Sequence, residues 1–300
     1  MGPQAETVES IASRCGVPAE TGRTMAEFTT IGVGGPVAHV LKPGSIEALQ
    51  RVITALRQGG FAPRVVGGGA NLIAGPGPFF DPVVLTRGIK HGPVFTGNRA
   101  AAGCGVVVKK LVRQCVDHGL GGLEWAEGIP GTVGGTVYMN AGSYGGQMAD
   151  VVREVACVLP DGTLVRRAVT REDFSYRTSP FRRGEVIVEA VFELSPGDPA
   201  ALRARLQDIS SRRLAAQPPG ERSAGCVFRN PENDSAGRLI DSLGLKGLSV
   251  GGASVSQAHG NFIVNRGDAT AEDVLALIDL VKKEVRARSG VQLEEEVILW

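Results

Sequence analysis

The sequence predicts an α+β protein, and three observations carry that prediction. Capped helical periodicity is confined to a few stretches, the middle of the chain alternates in strand fashion, and the elements lack the regular strand-helix order of a doubly wound sheet. No internal repeat is evident. At 300 residues there is room for about two domains of roughly 150 residues each.

Ser45 can cap a helix over about 46–58, because Ile46, Leu49, Val52, Ile53 and Leu56 share one face and Gly59-Gly60 stops it. Arg64-Val65-Val66 then reads as a short strand running into Gly67. A second helical stretch, about 106–118, ends at Gly119, and residues 185–194 alternate as a strand. In Ser195-Pro196-Gly197-Asp198-Pro199 a turn leads to Asp198 as cap and Pro199 as first residue of a helix reaching about 216, so a domain boundary is placed after 198. Gln217-Pro218-Pro219-Gly220 ends that helix. Thr270, with Asp273 three residues on, caps a last long helix over about 271–289, whose buried stripe is Val274, Ile278, Val281 and Val285 and whose stop is Gly290. The chain finishes as a strand over 297–300.

Composition narrows the function. With 43% hydrophobic and 21% charged residues the chain reads as an ordinary soluble globular protein, and no segment approaches the ~18 apolar residues of a membrane span. Residues 1–6 have neither a basic start nor an apolar run, so a cytoplasmic location is expected. A formal charge of +1 without basic runs argues against nucleic-acid or membrane partners, and a monomer is expected. The five cysteines form no CxxC pair and no zinc cluster, so neither a disulfide framework nor a metal site is expected. Cys15, Cys104, Cys115 and Cys157 read as small buried hydrophobes.

The 42 glycines are about twice the usual ~7% share. They cluster at 32–35, 67–69, 119–122, 128–135 and 142–146, interrupted by β-branched residues, which points to tight turns or close backbone approach to a ligand. No GxxxxGK[ST] is present, and Gly67-Gly68-Gly69-Ala70-Asn71-Leu72 begins like a Rossmann fingerprint but ends in Leu72. Gly247-Leu248-Ser249-Val250-Gly251 satisfies GxSxG with His259 nearby, yet no acid lies between Ser249 and His259 and the strand-turn-helix setting is missing. Ser249 is therefore read as a turn residue.

Seven stretches remain: 29–36 with 67–72, Gly122-Leu123-Glu124 with 128–135, 140–145, 175–179, 223–231, 236–247 and 293–297. Taken together and in order from about residue 24 to the C-terminus, they resemble the UDP-N-acetylenolpyruvoylglucosamine reductases, flavoenzymes of peptidoglycan synthesis, in their shorter type II form. The resemblance implies a two-part FAD-binding region of the vanillyl-alcohol-oxidase type over 1–198, with subdomains of about 1–90 and 91–198. It implies a separate α+β substrate-binding domain over 199–292, and a C-terminal strand, 293–300, near the active site. The implied reaction is reduction of UDP-N-acetylglucosamine enolpyruvate to UDP-N-acetylmuramate, with NADPH reducing FAD and the reduced flavin passing hydride to C3.

By the same resemblance, FAD is held by Thr30 and Gly34, by Gly67, Gly68, Gly69, Ala70, Asn71 and Leu72, by Gly128, Ile129, Pro130, Gly131, Gly134 and Gly135, and by Asn140, Ala141 and Gly142. Glycine lets consecutive N–H groups close on phosphate oxygens as an anion-binding nest. Negative charge then develops on C2 and the substrate carboxylate, which calls for an electrophile, a proton and a group that supports the enol form. Arg177 fits the electrophile, since guanidinium pairs with carboxylate in bidentate fashion. Cys226 stands where the family's best-known members carry a serine as proton donor, and a thiol gives up its proton more readily than an alcohol. Glu296 matches the family's C-terminal glutamate, with Glu294 on the same strand face as the alternative. Tyr144, Asn230 and His259 match or approach positions that contact the nucleotide-sugar; for His259 a structural, hydrogen-bonded role is the alternative. Another FAD-dependent oxidoreductase of this fold, or a non-catalytic FAD or nucleotide-sugar binding protein, are the competing readings, and Arg177, Cys226 and Glu296 together argue against both.

Overall fold

The computed structural model describes residues 6–181, 184–218 and 220–300. The readings of residues 1–5 as free of a signal segment and of Pro219 as part of a helix stop lie outside the described residues. Packing divides the chain into two compact units, one built from residues up to Thr21, Ala38–Gly68 and Phe80–Ser211, the other from Gly22–Val37, Gly69–Phe79 and Arg212–Trp300. The position after 198 thus falls within the first unit. Two early segments join the C-terminal third because Ile31, Val33 and Ile73 are buried in its core.

The first unit holds two main sheets. One orders its strands Ala19–Glu20, Val40–Leu41, Val83–Leu85 and Arg64–Val66; the first pairing is antiparallel and the other two are parallel. Val83–Leu85 is buried along its whole length, as expected of the inner strand of a parallel set. The other sheet is antiparallel, in the order Leu164–Ala168, Val152–Val158, Val186–Glu193, Arg99–Gly103 and Val94–Thr96. Successive side chains of a strand leave on opposite faces, so Val152–Val158 serves two cores. Val155 and Cys157 pack with Leu111, Val112 and Cys115 of the helix Val108–Asp117, while Ala156 and Val158 pack with Leu49, Val52, Ile53 and Leu56 of the helix Ile46–Gln58.

Local signals set the helix ends. The Ser45 hydroxyl accepts the Ala48 N–H at 3.1 Å, and Gly59 closes Ile46–Gln58. Asp198 Oδ2 accepts the Ala201 N–H at 2.9 Å at the start of Pro199–Ala216, of which Ile209 alone is buried among the described residues.

The second unit centres on an antiparallel sheet, Arg222–Cys226, Phe262–Asn265, Ala253–Val255 and Ser249–Val250. Against it the helix Ala271–Ser289 buries Val274, Leu277, Ile278, Val281 and Val285. Ser249 corrects the sequence reading: it is an exposed strand residue opposite Ser254, and Gly251-Gly252 make the turn. A short parallel pair, Leu72–Ile73 with Ile298–Leu299, ties the C-terminus to an early segment of the same unit.

Candidate active site

In the first unit the glycine loop leaves the strand Arg64–Val66 and meets the segment 128–135 at van der Waals limits. A Cβ on Gly68 would stand 2.7 Å from Gly131 Cα, so only glycine allows this approach. A Cβ on Gly67 would stand 2.8 Å from Thr132 Oγ1. That hydroxyl is buried and, among the described residues, has no hydrogen-bond partner. A buried unpaired hydroxyl is costly, and an anionic oxygen at the loop would satisfy it. The cradle and the orphaned hydroxyl fit the diphosphate of FAD. Thr132 was not among the residues expected to hold the cofactor; its place inside the 128–135 segment was the available signal. Gly128 and Gly131 adopt positive φ (76° and 119°), Ile129 is half-buried, Pro130 and Gly135 are exposed, and Gly134 packs on Cys104, its N–H bonded to the Cys104 carbonyl at 2.9 Å.

Asn140 ends this stretch wholly buried, in the left-handed region at φ 42°. Its Nδ2 donates to Gln147 Oε1 at 3.1 Å and to the Ser175 carbonyl at 2.9 Å, and its Oδ1 accepts the Ala149 N–H at 3.0 Å. The side chain therefore holds two loops together and is spent within the protein. The loops are the hairpin Gly142–Ser143 with Gly146–Gln147, and the turn 175–178 closed by Ser175 and Thr178. Tyr144 and Gly145, both at positive φ, form the two-residue hairpin turn. Gly146 lies on the buried Trp125 ring, which would stand 2.4 Å from a Cβ there. Arg177, at φ 52°, donates to the Gly142 carbonyl at 3.3 Å and sets its guanidinium over the Tyr176 ring, 4.8 Å from the centroid. Ala141, half-buried, joins the core below.

The second unit carries the remaining candidates. A register shift between Ser223 and Cys226 bulges the strand Arg222–Cys226, and Gly225 sits there at φ 80°. Bulges re-aim side chains, and the one here leaves Cys226 half-exposed while the other four cysteines are buried. The next residues are pinned by Asn261, whose Oδ1 accepts the Phe228 N–H at 2.8 Å and whose Nδ2 donates to the Phe228 carbonyl at 2.8 Å. Glu296 N–H donates to the Val227 carbonyl at 2.7 Å, so the backbone of Glu296 lies against the residue that follows Cys226, beside an isolated antiparallel bridge between Phe228 and Glu295. Glu295 turns the other way and accepts from Lys282 Nζ at 2.6 Å, and Glu294 is exposed. Asn71 Nδ2 donates to the Glu296 carbonyl at 3.1 Å, while Ala70 is half-buried and Leu72 is buried in the parallel pair. Gly69, at φ 68°, approaches Phe28, whose carbonyl oxygen would be 1.9 Å from a Cβ. Thr30 donates to the Ser223 carbonyl at 2.6 Å, and Gly34 is packed against Met25 and Ala74. In this unit Thr30, Gly34 and Asn71 thus have structural partners of their own.

Two expected substrate contacts are also engaged. Asn230 Oδ1 accepts the Ala236 N–H at 3.1 Å at the start of the helix Ala236–Ser242. His259 Nδ1 accepts the Asn261 N–H at 3.1 Å, and its ring meets Phe262 edge-on at 4.8 Å. Burial, and then the Lys246 ammonium, lower its pKa from the usual value and favour the neutral ring.

Residues 37–167 match a family profile described as an FAD binding domain. The Physcomitrella patens protein BBE-like 1 superposes with a TM-score of 0.51 at 16% identity over 96% of this chain and 61% of that one, a likeness of fold alone. Fold and site define the class: a flavoprotein with an FAD-binding region of the vanillyl-alcohol-oxidase type. Residues 217–300 match the C-terminal domain of UDP-N-acetylenolpyruvoylglucosamine reductase. The reductase of that name from Geobacter metallireducens is 41% identical, covering 91% of each chain, and that of Desulfosudis oleivorans is 43% identical, covering 92% of each. The crystal structure of the Thermus caldophilus enzyme, MurB, superposes with a TM-score of 0.79 at 34% identity over 95% of this chain and 98% of that one. The chain belongs to the UDP-N-acetylenolpyruvoylglucosamine reductase family and is an FAD-dependent oxidoreductase.

Proposed function

We propose that this chain reduces UDP-N-acetylglucosamine enolpyruvate to UDP-N-acetylmuramate, with NADPH as the electron source, in the cytoplasm and as a monomer. FAD, when bound, supplies the hydride for C3 of the enolpyruvyl group. Arg177 pairs its guanidinium with the substrate carboxylate, where negative charge develops. Cys226 gives its Sγ proton to C2, and the Glu296 carboxyl supports the enol form. Residues 1–198 are assigned to the cofactor and 199–292 to the substrate, with Glu296 on the C-terminal segment 293–300, which is strand at Ile298–Leu299 and not along the whole length expected from the sequence. Tyr144, Asn230 and His259 are assigned to the nucleotide-sugar; Asn230 and His259 each keep atoms beyond those bonded internally. The observation that supports the reading is the hydrogen bond from Glu296 N–H to the Val227 carbonyl, which brings the backbone of Glu296 next to the residue after Cys226. Among the described residues no helix is long and apolar enough to cross a membrane.

The purified protein is expected to show a flavin visible spectrum and, beyond the one equivalent that reduces its FAD, to oxidise NADPH only when the enolpyruvyl sugar nucleotide is present. Cys226→Ala should retain flavin reduction by NADPH and lose product formation. Unchanged turnover in that variant removes Cys226 from the role.

A further inference from the structure

Arg87 lies in the short turn Thr86–Gly88 after the strand Val83–Leu85, and the glycine loop follows Arg64–Val66, the parallel neighbour of that strand. Parallel neighbours end at the same sheet edge, the edge at which open sheets of parallel strands bind ligands. There the half-buried guanidinium donates from Nε to the Gly67 carbonyl at 3.0 Å and from Nη2 to the Gly68 carbonyl at 3.5 Å. A trans peptide points its C=O and the following N–H in opposite directions. Each carbonyl held toward Arg87 therefore turns the next N–H, of Gly68 and then of Gly69, away from it.

We infer that Arg87 is a positioning residue for the FAD diphosphate: it holds two glycine peptides so that their N–H groups face the phosphate oxygens, and it stands behind the loop as a fixed positive charge. The inference rests on FAD being the ligand of this loop. A planar guanidinium meets two successive carbonyls from two separate nitrogens held in a rigid fork, whereas a lysine ammonium offers its rotatable donors from a single nitrogen. Burial lowers the pKa of Arg87 from its usual value, but a guanidinium starts so far above neutrality that the charge persists.

The test compares apoprotein of the wild type, Arg87→Met and Arg87→Lys, titrated with FAD and followed by quenching of flavin fluorescence, with melting curves of each apoprotein alongside. Arg87→Met should weaken FAD binding on the order of tenfold or more. Arg87→Lys should restore the melting temperature and still bind FAD several-fold more weakly, a split that a merely structural arginine would not produce. Wild-type FAD affinity in either variant overturns the inference. If Arg87→Met does not fold, Arg87→Lys decides alone on the same criterion. A wild-type protein that takes up no FAD would instead overturn the flavin reading on which the inference stands.

Discussion

Burial sets Cys226 apart from the other four cysteines of this chain. Burial pushes the Cys104 and Cys115 thiols up to about 12, so both stay protonated and inert across the working range. Cys226 sits half-exposed on a bulged strand, where a proton can reach a ligand. A thiol ordinarily titrates near pH ~8.5, whereas a serine hydroxyl does not titrate in water at all. The donor must be protonated to act, so turnover should fall as pH rises through the thiol titration. Cys226→Ser should turn over and lose that alkaline limb, and pH profiles of kcat for the two proteins check it; an alkaline limb that survives in the serine variant assigns the limb to another group. The thiol itself was legible in the sequence as a substitution within a motif. The bulge that aims it was not, because a register shift depends on the partner strand Phe262–Asn265 and leaves no local mark. Nor was the way the Asn140 side chain joins two loops, because its partners Gln147, Ala149 and Ser175 are set by the folds of both loops and not by local spacing.

Elements that carry their own end signals were readable from the sequence, and the helix Ala271–Ser289 shows why. Thr270 Oγ1 accepts the Asp273 N–H at 3.1 Å while Asp273 Oδ2 accepts the Thr270 N–H at 3.0 Å, a reciprocal box that satisfies two otherwise unpaired donors. Gly290 ends the helix in the left-handed region at φ 77°. These are contacts over three or four residues, so spacing alone specifies them. Asp273 does more than the box requires: its carboxylate also accepts the Gly252 N–H at 3.3 Å, anchoring the turn of the Ser249–Val250 hairpin. Thr270→Ala should destabilise the protein by about 1 kcal/mol, read as a lowered midpoint of denaturant unfolding. Thr270→Ser, which keeps the accepting oxygen, should stay close to wild type. Equal losses in both variants would place the effect in the threonine methyl group instead of the cap. The short strands were less legible, since two or three residues do not establish a period.

At the scale of the molecule, chain order and packing order differ, and no local signal could reveal it. The core of the second unit takes Ile31, Val33 and Ile73 from segments far upstream, each no more than 2% exposed. The strand Ile298–Leu299 has Leu72–Ile73 as its parallel partner, and Asn71 holds the Glu296 carbonyl, so the proposed carboxylate depends on the segment Gly69–Phe79 for its position. A fragment spanning 199–300 would match the boundary drawn from sequence yet lack all of these partners. Losing three buried aliphatic side chains forfeits about 1.5–3 kcal/mol each, comparable in sum with the whole stability of about 5–15 kcal/mol typical of a domain. The vacated core would expose apolar surface around Val227, Phe228 and Val297, which are buried in the intact unit. The fragment should therefore keep helical signal from Ala271–Ser289 but melt without a cooperative transition, while the full chain melts sharply. Thermal unfolding followed by far-ultraviolet circular dichroism distinguishes the two. A sharp transition in the fragment would mean that the C-terminal third completes a core without residues 22–37 and 69–79, and that those segments are held by the unit instead of being part of what makes it fold.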